Sequence, residues 1–330
     1  MSAGERAPSQ RMRPRDAVAA VSPSMPITMI RPERISTFTA AIALLLCLII
    51  AKFPPAVESS EIENPTAAPL GGALTVKNET FHSSALGRDM HYRIYLPRTY
   101  AQPERRFPVV YLLHGIYGKF TDWDTQSHLR HYARNLDLIV VMPDAGDSWY
   151  VNSASDAQNR FEDYIVKDVI HEIDENYRTL AAREGRAIAG VSMGGYGALN
   201  LALKHPDLFV FAGSISGAIN APTDLGPRQP DFQANLLQVF GLAGSATRAD
   251  NDIFILLKHA DVARLPYIYL ACGESDPFFP LNQQFAAQLL EEHARYEFHH
   301  APGAHEWKFW DKAAKNLLPA VMQKLKSSAP

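Results

Sequence analysis

Residues 185–204 constrain this chain more than any other stretch. Gly185-Arg-Ala-Ile-Ala-Gly190 is short and apolar, as a buried strand is. It runs through Val191-Ser192-Met193-Gly194-Gly195-Tyr196-Gly197 into Ala-Leu-Asn-Leu-Ala-Leu-Lys204, an apolar helix pattern stopped by Pro206. A serine at such a strand-to-helix turn, in the pattern G-x-S-x-G, has to take a positive φ. The residues two positions to either side pack against each other, where a Cβ would clash, so Gly190 and Gly194 fit those positions. Gly195 and Gly197 would let the helix lie close to the sheet. This strand–turn–helix is a nucleophile elbow and predicts Ser192 as a nucleophile. The bland alternative, an ordinary serine in a tight turn, is weakened by the partners found downstream.

A serine hydroxyl is a weak nucleophile until an imidazole takes its proton, and a carboxylate has to hold that imidazole in the right tautomer. In folds that carry this elbow the chain order is serine, acid, histidine. An apolar run at 265–271 ends in Cys272-Gly-Glu274-Ser-Asp276-Pro277. Asp276 is the expected acid. Glu274 competes from two residues earlier, and a helix-capping role for Asp276 is the alternative. A last strand at 295–300 is followed by Ala-Pro-Gly-Ala-His305-Glu-Trp307. His305, in a loop with small neighbours, is the expected base. His299 and His300 lie within the strand and His293 on a helix. The negative charge that develops during attack needs two backbone N–H groups. One comes from Met193, after the nucleophile. The other comes from the loop after an early strand, Tyr111-Leu-Leu-His114-Gly115-Ile116-Tyr117-Gly118, through Ile116 or Tyr117. His114 is expected to brace that turn.

The rest of the chain agrees with this reading. Residues 1–34 are rich in Arg, Pro and Ser without apolar periodicity, and read as a disordered basic n-region. Residues 35–51 are almost continuously apolar, the h-region of an export signal or a short membrane anchor. The Pro-rich stretch 52–73 reads as a linker, and 74–330 as one catalytic domain. Within it, strands are expected at 74–83, 90–97 with a turn at 87–89, 107–115, 136–144, 185–192, 207–216, 265–273 and 295–300. Amphipathic helices are expected at 161–177, with Ile165, Val169, Ile173 and Tyr177 in register, at 280–293 and at 305–326. Strands alternating with helices predict an α/β fold, a mostly parallel central sheet with helices on both faces. Residues 217–264 sit where a cap would.

Composition excludes other classes. With 32 basic against 35 acidic residues there is no field for nucleic acid. Cys47 lies in the apolar run, so the folded domain keeps only Cys272 and no internal disulfide is expected. His128-x-x-His131 lacks supporting carboxylates and reads as a solvated helix face, so neither metal nor cofactor is predicted.

The segments LLHGIYG (112–118), GVSMGGYGA (190–198), CGESDPF (272–278) and GAHEWKFW (303–310) stand in an order and approximate spacing that resemble the esterase D-like family of α/β-hydrolases. That family includes S-formylglutathione hydrolases, feruloyl and acetylxylan esterases, and mycolyl transferases. The resemblance covers roughly residues 75–325. It implies an α/β-hydrolase fold, Ser192 as nucleophile, Asp276 as acid, His305 as base, and the amides of Met193 and Ile116 as the oxyanion hole. Asp122–Trp123 and Asp147–Asn152 resemble family segments near the pocket, so Trp123, Trp149 and Trp310 are candidates to line it, with plain core packing as the alternative.

The expected function is hydrolysis of a carboxylic ester, the substrate a small-molecule, carbohydrate or lipid ester. Acyl transfer to a sugar or lipid alcohol, as in mycolyl transferases, is the second reading. A non-catalytic scaffold is the third, and the intact set of three residues argues against it. The apolar run points to an exported protein, periplasmic, secreted or membrane-anchored.

Overall fold

The computed structural model describes residues 73–325 except Leu225 and Pro227. The basic stretch, the apolar run 35–51 and most of the linker lie outside the described residues.

Eight strands form one sheet: β1 (Thr75–Ser83), β2 (Arg88–Leu96), β3 (Val109–Leu113), β4 (Ile139–Pro143), β5 (Arg186–Val191), β6 (Phe211–Ile215), β7 (Tyr267–Gly273) and β8 (Tyr296–Ala301). Their order is β1-β2-β4-β3-β5-β6-β7-β8. β1 and β2 are a hairpin. Its turn closes before Arg88, which already pairs with Ser83, so the expected turn at 87–89 sits slightly earlier. β2 lies antiparallel on β4, and every other pairing is parallel. The fold class is therefore as expected, α/β with a mostly parallel sheet. β3, β4, β5 and β6 are buried at every residue, because helices cover both faces and neither face can be polar.

The period of two along each strand divides the core into two layers. Val109, Tyr111 and Leu113 face one layer, with α3 (Phe161–Asp163), α4 (Ile170–Asn176), α5 (Met193–Lys204), α8 (Ile253–His259) and α9 (Phe279–Glu291). Val110 and Leu112 face the other, with α1 (Asp122–Thr125), α2 (Leu129–Ala133) and α10 (Trp307–Lys324). The helix expected at 161–177 is not uniform. Between α3 and α4 the backbone widens into a π turn over Tyr164–Val169. Ile165, Val169 and Ile173 all face the core. Their spacing of four exceeds the 3.6-residue α repeat, and a wider turn keeps Ile165 and Val169 in line.

The segment 217–264 contains α6 (Pro230–Phe240), α7 (Ala246–Asp250) and α8, the last two capped by Ser245 and Asp252. Chain direction explains where a site should lie. From β3 the chain goes to β4 on one side, and from β5 to β6 on the other. The crevice outside the C-terminal ends of β3 and β5 is the switch point, where open α/β sheets bind ligands.

Candidate active site

Ser192 stands at that switch point, between β5 and α5. Its φ is +55° and its ψ −116°, a backbone that costs a residue with a Cβ about 1–3 kcal/mol. The surroundings hold it there. Its N–H donates to the Ile215 carbonyl at 2.9 Å, and its carbonyl accepts from Tyr196 and Ala218. A Cβ on Gly190 would come within 2.3 Å of the Gly194 oxygen, and one on Gly194 within 2.4 Å of the Leu113 oxygen. These two glycines thus permit the turn, as their spacing suggests.

Asp276 lies in the turn after β7 and is buried. Its Oδ1 accepts the Phe278 N–H at 2.9 Å and its Oδ2 faces His305 Nδ1 at 2.9 Å. Burial pushes the Asp276 carboxyl up, but the hydrogen bonds from His305 and the Phe278 amide outweigh it and hold the group below the usual carboxylate range. Glu274 points elsewhere, to His300 Nδ1 at 2.9 Å on the exposed side of β8.

His305 sits in the loop between β8 and α10. Its Nε2 is 2.9 Å from Ser192 Oγ. The ring is wedged between Phe278 and Trp310, with centroids 5.1 and 4.9 Å away. Serine, histidine and aspartate, 84 and 29 residues apart along the chain in the order 192, 276, 305, thus form one row of hydrogen bonds. Two glycines bring the acid loop and the histidine loop together. A Cβ on Gly273 would lie 2.3 Å from the Gly303 oxygen, and the Ser275 N–H donates to that same oxygen.

Beside Ser192 is a cavity of about 150 Å³, lined by Gly115, Ile116, Gly118, Asp122, Ser192, His305, Trp307 and Trp310. Of the three tryptophans singled out in the sequence, only Trp310 lines it. Trp123 is 1% exposed, donates its indole N–H to the Leu113 carbonyl and packs edge-on against Trp307. Trp149 is 2% exposed and packs among Tyr196, Phe232 and Phe240. Both are core residues, which corrects the expectation for them: each indole fills space behind the loops that wall the cavity. Trp307 and Asp122, one residue or a few away from those candidates, line it instead. Their place at the starts of α10 and α1 was the available signal.

The loop after β3 distinguishes its two amides. The Tyr117 N–H is engaged, donating to Asp147 Oδ1 at 2.6 Å. The N–H groups of Ile116 and Met193 have no acceptor among the described residues. His114 is buried. It accepts the Ala145 N–H at Nε2 (3.1 Å), and its Nδ1 is 2.8 Å from the Gly115 carbonyl, so the proton belongs on Nδ1 and the ring braces the turn.

An eight-stranded, mostly parallel sheet with helices on both faces and an elbow serine at its switch point defines an α/β-hydrolase fold. Comparison with known proteins narrows the class. The Esterase family model matches residues 83–320, and the chain belongs to that family. An esterase of Mycobacterium tuberculosis is 32% identical over 257 residues, 69% of this chain; the match spans 55% of that esterase's length, about half. The acetyl esterase of Caldicellulosiruptor saccharolyticus is 25% identical over 74% of this chain and 97% of its own. Among solved structures, the fluorophosphonate-binding serine hydrolase F of Staphylococcus aureus superposes with a TM-score of 0.70 at 26% identity, covering 76% of this chain and 99% of the hydrolase.

Proposed function

We propose that this chain is an exported serine esterase that hydrolyses carboxylic esters of short acyl groups through an acyl-enzyme on Ser192. The observation that carries the proposal is the row of hydrogen bonds Ser192 Oγ–His305 Nε2 and His305 Nδ1–Asp276 Oδ2, both 2.9 Å. Ser192 Oγ attacks the ester carbonyl while His305 Nε2 takes its proton. Asp276, held ionised, fixes the Nδ1–H tautomer and stabilises the imidazolium. The oxyanion falls to the amides of Met193 and Ile116. Collapse expels the alcohol, which leaves with the proton from His305. Water then enters, gives its proton to His305, and releases the acid and Ser192. The cavity of about 150 Å³, walled by Trp307 and Trp310, favours a compact group, in keeping with the acetyl ester named for one relative. Export is supported by the apolar run 35–51 behind basic residues.

The test is one experiment on protein made from the whole gene. p-Nitrophenyl esters from acetyl to octanoyl are turned over with kcat/KM falling as the chain lengthens, and Ser192→Ala removes the activity while the fold persists by circular dichroism. Retained turnover in Ser192→Ala overturns the nucleophile. A product acylated on an added sugar or lipid alcohol, in excess over free acid, would replace hydrolysis by transfer. The first residue of the exported protein tests the signal: an intact N-terminus on soluble, unexported protein overturns export.

A further inference from the structure

We propose that Asp147 is a positioning residue for this reaction, which holds the Ile116 amide in the oxyanion hole through the backbone of Tyr117; the inference rests on the esterase reading above. Tyr117 is 71% exposed and has φ +60°, so its own side chain does not keep it in that unfavourable conformation. Two hydrogen bonds hold it there: the Gly118 N–H closes the turn on the Gly115 carbonyl at 3.1 Å, and the Tyr117 N–H donates out of the turn to Asp147 Oδ1 at 2.6 Å. The peptide between Ile116 and Tyr117 carries that N–H. Fixing it restrains the carbonyl end of Ile116, and, across the two backbone torsions of that residue, the direction of the Ile116 N–H one peptide unit earlier. An oxyanion donor works only if it is preorganised toward the developing charge, and a displacement of about 1 Å costs on the order of a hundredfold.

Asp147 is itself held. The turn that carries it is pinned to the loop after β3 twice more. The Ala145 N–H donates to His114 Nε2, and the Tyr150 hydroxyl donates to the His114 carbonyl at 3.0 Å. From the other side, Asn235 on α6 donates through Nδ2 to the Asp147 carbonyl at 2.8 Å and accepts the Trp149 indole N–H at 2.8 Å. Trp149 and Tyr150 both have positive φ, +57° and +59°, a pair of strained residues that persists only under such constraint. The segment between β6 and β7 thus acts on the site without lining the cavity: α6 braces Asp147, and Asp147 braces the loop that carries Ile116.

The experiment compares Asp147→Ala, Asp147→Asn and Asn235→Ala with the unaltered chain. The substrate is p-nitrophenyl acetate and the probe an alkyl trifluoromethyl ketone, whose serine adduct carries an oxyanion. Asp147→Ala lowers kcat about tenfold to a hundredfold with KM within about twofold, and inhibitor affinity falls by the same factor as kcat/KM. Asp147→Asn, which keeps an oxygen at the same place, restores kcat to within a few-fold. Asn235→Ala gives a smaller loss with the same proportionality. The proposal is overturned if Asp147→Ala leaves kcat unchanged, or if KM and inhibitor affinity do not separate. If Asp147→Ala does not fold, Asn235→Ala decides by the same proportionality. An esterase that Ser192→Ala silences but Asp147→Ala and Asn235→Ala leave untouched retains the esterase reading and loses this one; activity retained in Ser192→Ala removes the esterase reading itself.

Discussion

Ser192, His305 and Asp276 meet because each occupies a turn at the C-terminal edge of the sheet. Two carboxylates only two residues apart after β7 take different partners. Asp276 turns inward, buried and bonded to His305, while Glu274 turns outward to an exposed histidine. Asp276→Asn removes the charge that stabilises the imidazolium and puts in its place an amide that can donate to His305 Nδ1, favouring the wrong tautomer. Asp276→Asn is therefore expected to lower kcat by on the order of 10³–10⁴-fold. Glu274→Gln, which loses one exposed pair worth at most about 1 kcal/mol, stays within about twofold. Steady-state kinetics on one short-chain ester checks both, and a larger loss in Glu274→Gln than in Asp276→Asn would reassign the acid. At this scale the identity of the three polar residues was legible in the sequence, since each stands in a short motif after a strand. The tryptophans were not. A large apolar side chain near a site is equally suited to core and pocket, and only packing across the fold sends Trp123 and Trp149 inward and leaves Trp307 and Trp310 on the cavity.

Two element ends have to touch for those residues to meet. β7 ends in Gly273, and the loop after β8 passes over it at Gly303, backbone against backbone. Gly273→Ala would drive a methyl carbon into the Gly303 oxygen, and backbone cannot swing aside as a side chain can. The expected cost is about 1–3 kcal/mol of stability. Because the strain falls on the two loops that carry Asp276 and His305, activity should drop at least tenfold at temperatures where the variant is fully folded. Thermal melts beside kinetics check this, and full activity in a folded variant would show that the two loops tolerate separation. Many of the elements could be read from local pattern: continuous apolar runs gave the buried strands, while α6, α7 and α8 within 217–264 were not resolved from it. The π turn at Tyr164–Val169 was hidden, because a spacing of four is compatible with an α-helix until the core decides which turn width buries Ile165 and Val169 together.

Across the molecule, α3 and α5 lie on the same face of the sheet and are joined by a buried polar contact at Glu162. It is buried on α3 and pairs with Lys204 at the end of α5 and with His205 just beyond it. Burial pushes the Glu162 carboxyl up, but His205 and Lys204 outweigh it and the group lies below its ordinary value of 4.5. A carboxylate whose folded pKa is depressed contributes stability above its unfolded pKa and loses it as pH falls through the folded one. Glu162→Gln is thus expected to destabilise the chain by about 1–3 kcal/mol at pH 7. The difference in melting temperature should narrow as pH is lowered from 5 towards 3; a gap that stays constant over that range would show that the pair adds nothing through charge.

Strand and helix periods, glycine placement at the elbow, and the order serine, acid, histidine are local properties of the chain, and they were enough to place the fold class and the three polar residues at one edge of a sheet. The order of strands, the engagement of the Tyr117 amide but not the Ile116 amide among the described residues, and the split of the tryptophans between core and cavity depend on groups far apart in sequence. Tyr117 is distinguished by the carboxylate of an aspartate 30 residues later, and the backbone carbonyl of that aspartate is held by an asparagine a further 88 residues on. No short window of sequence contains both ends of such a contact, and the burial that selects between alternatives exists only once the sheet has brought those ends together.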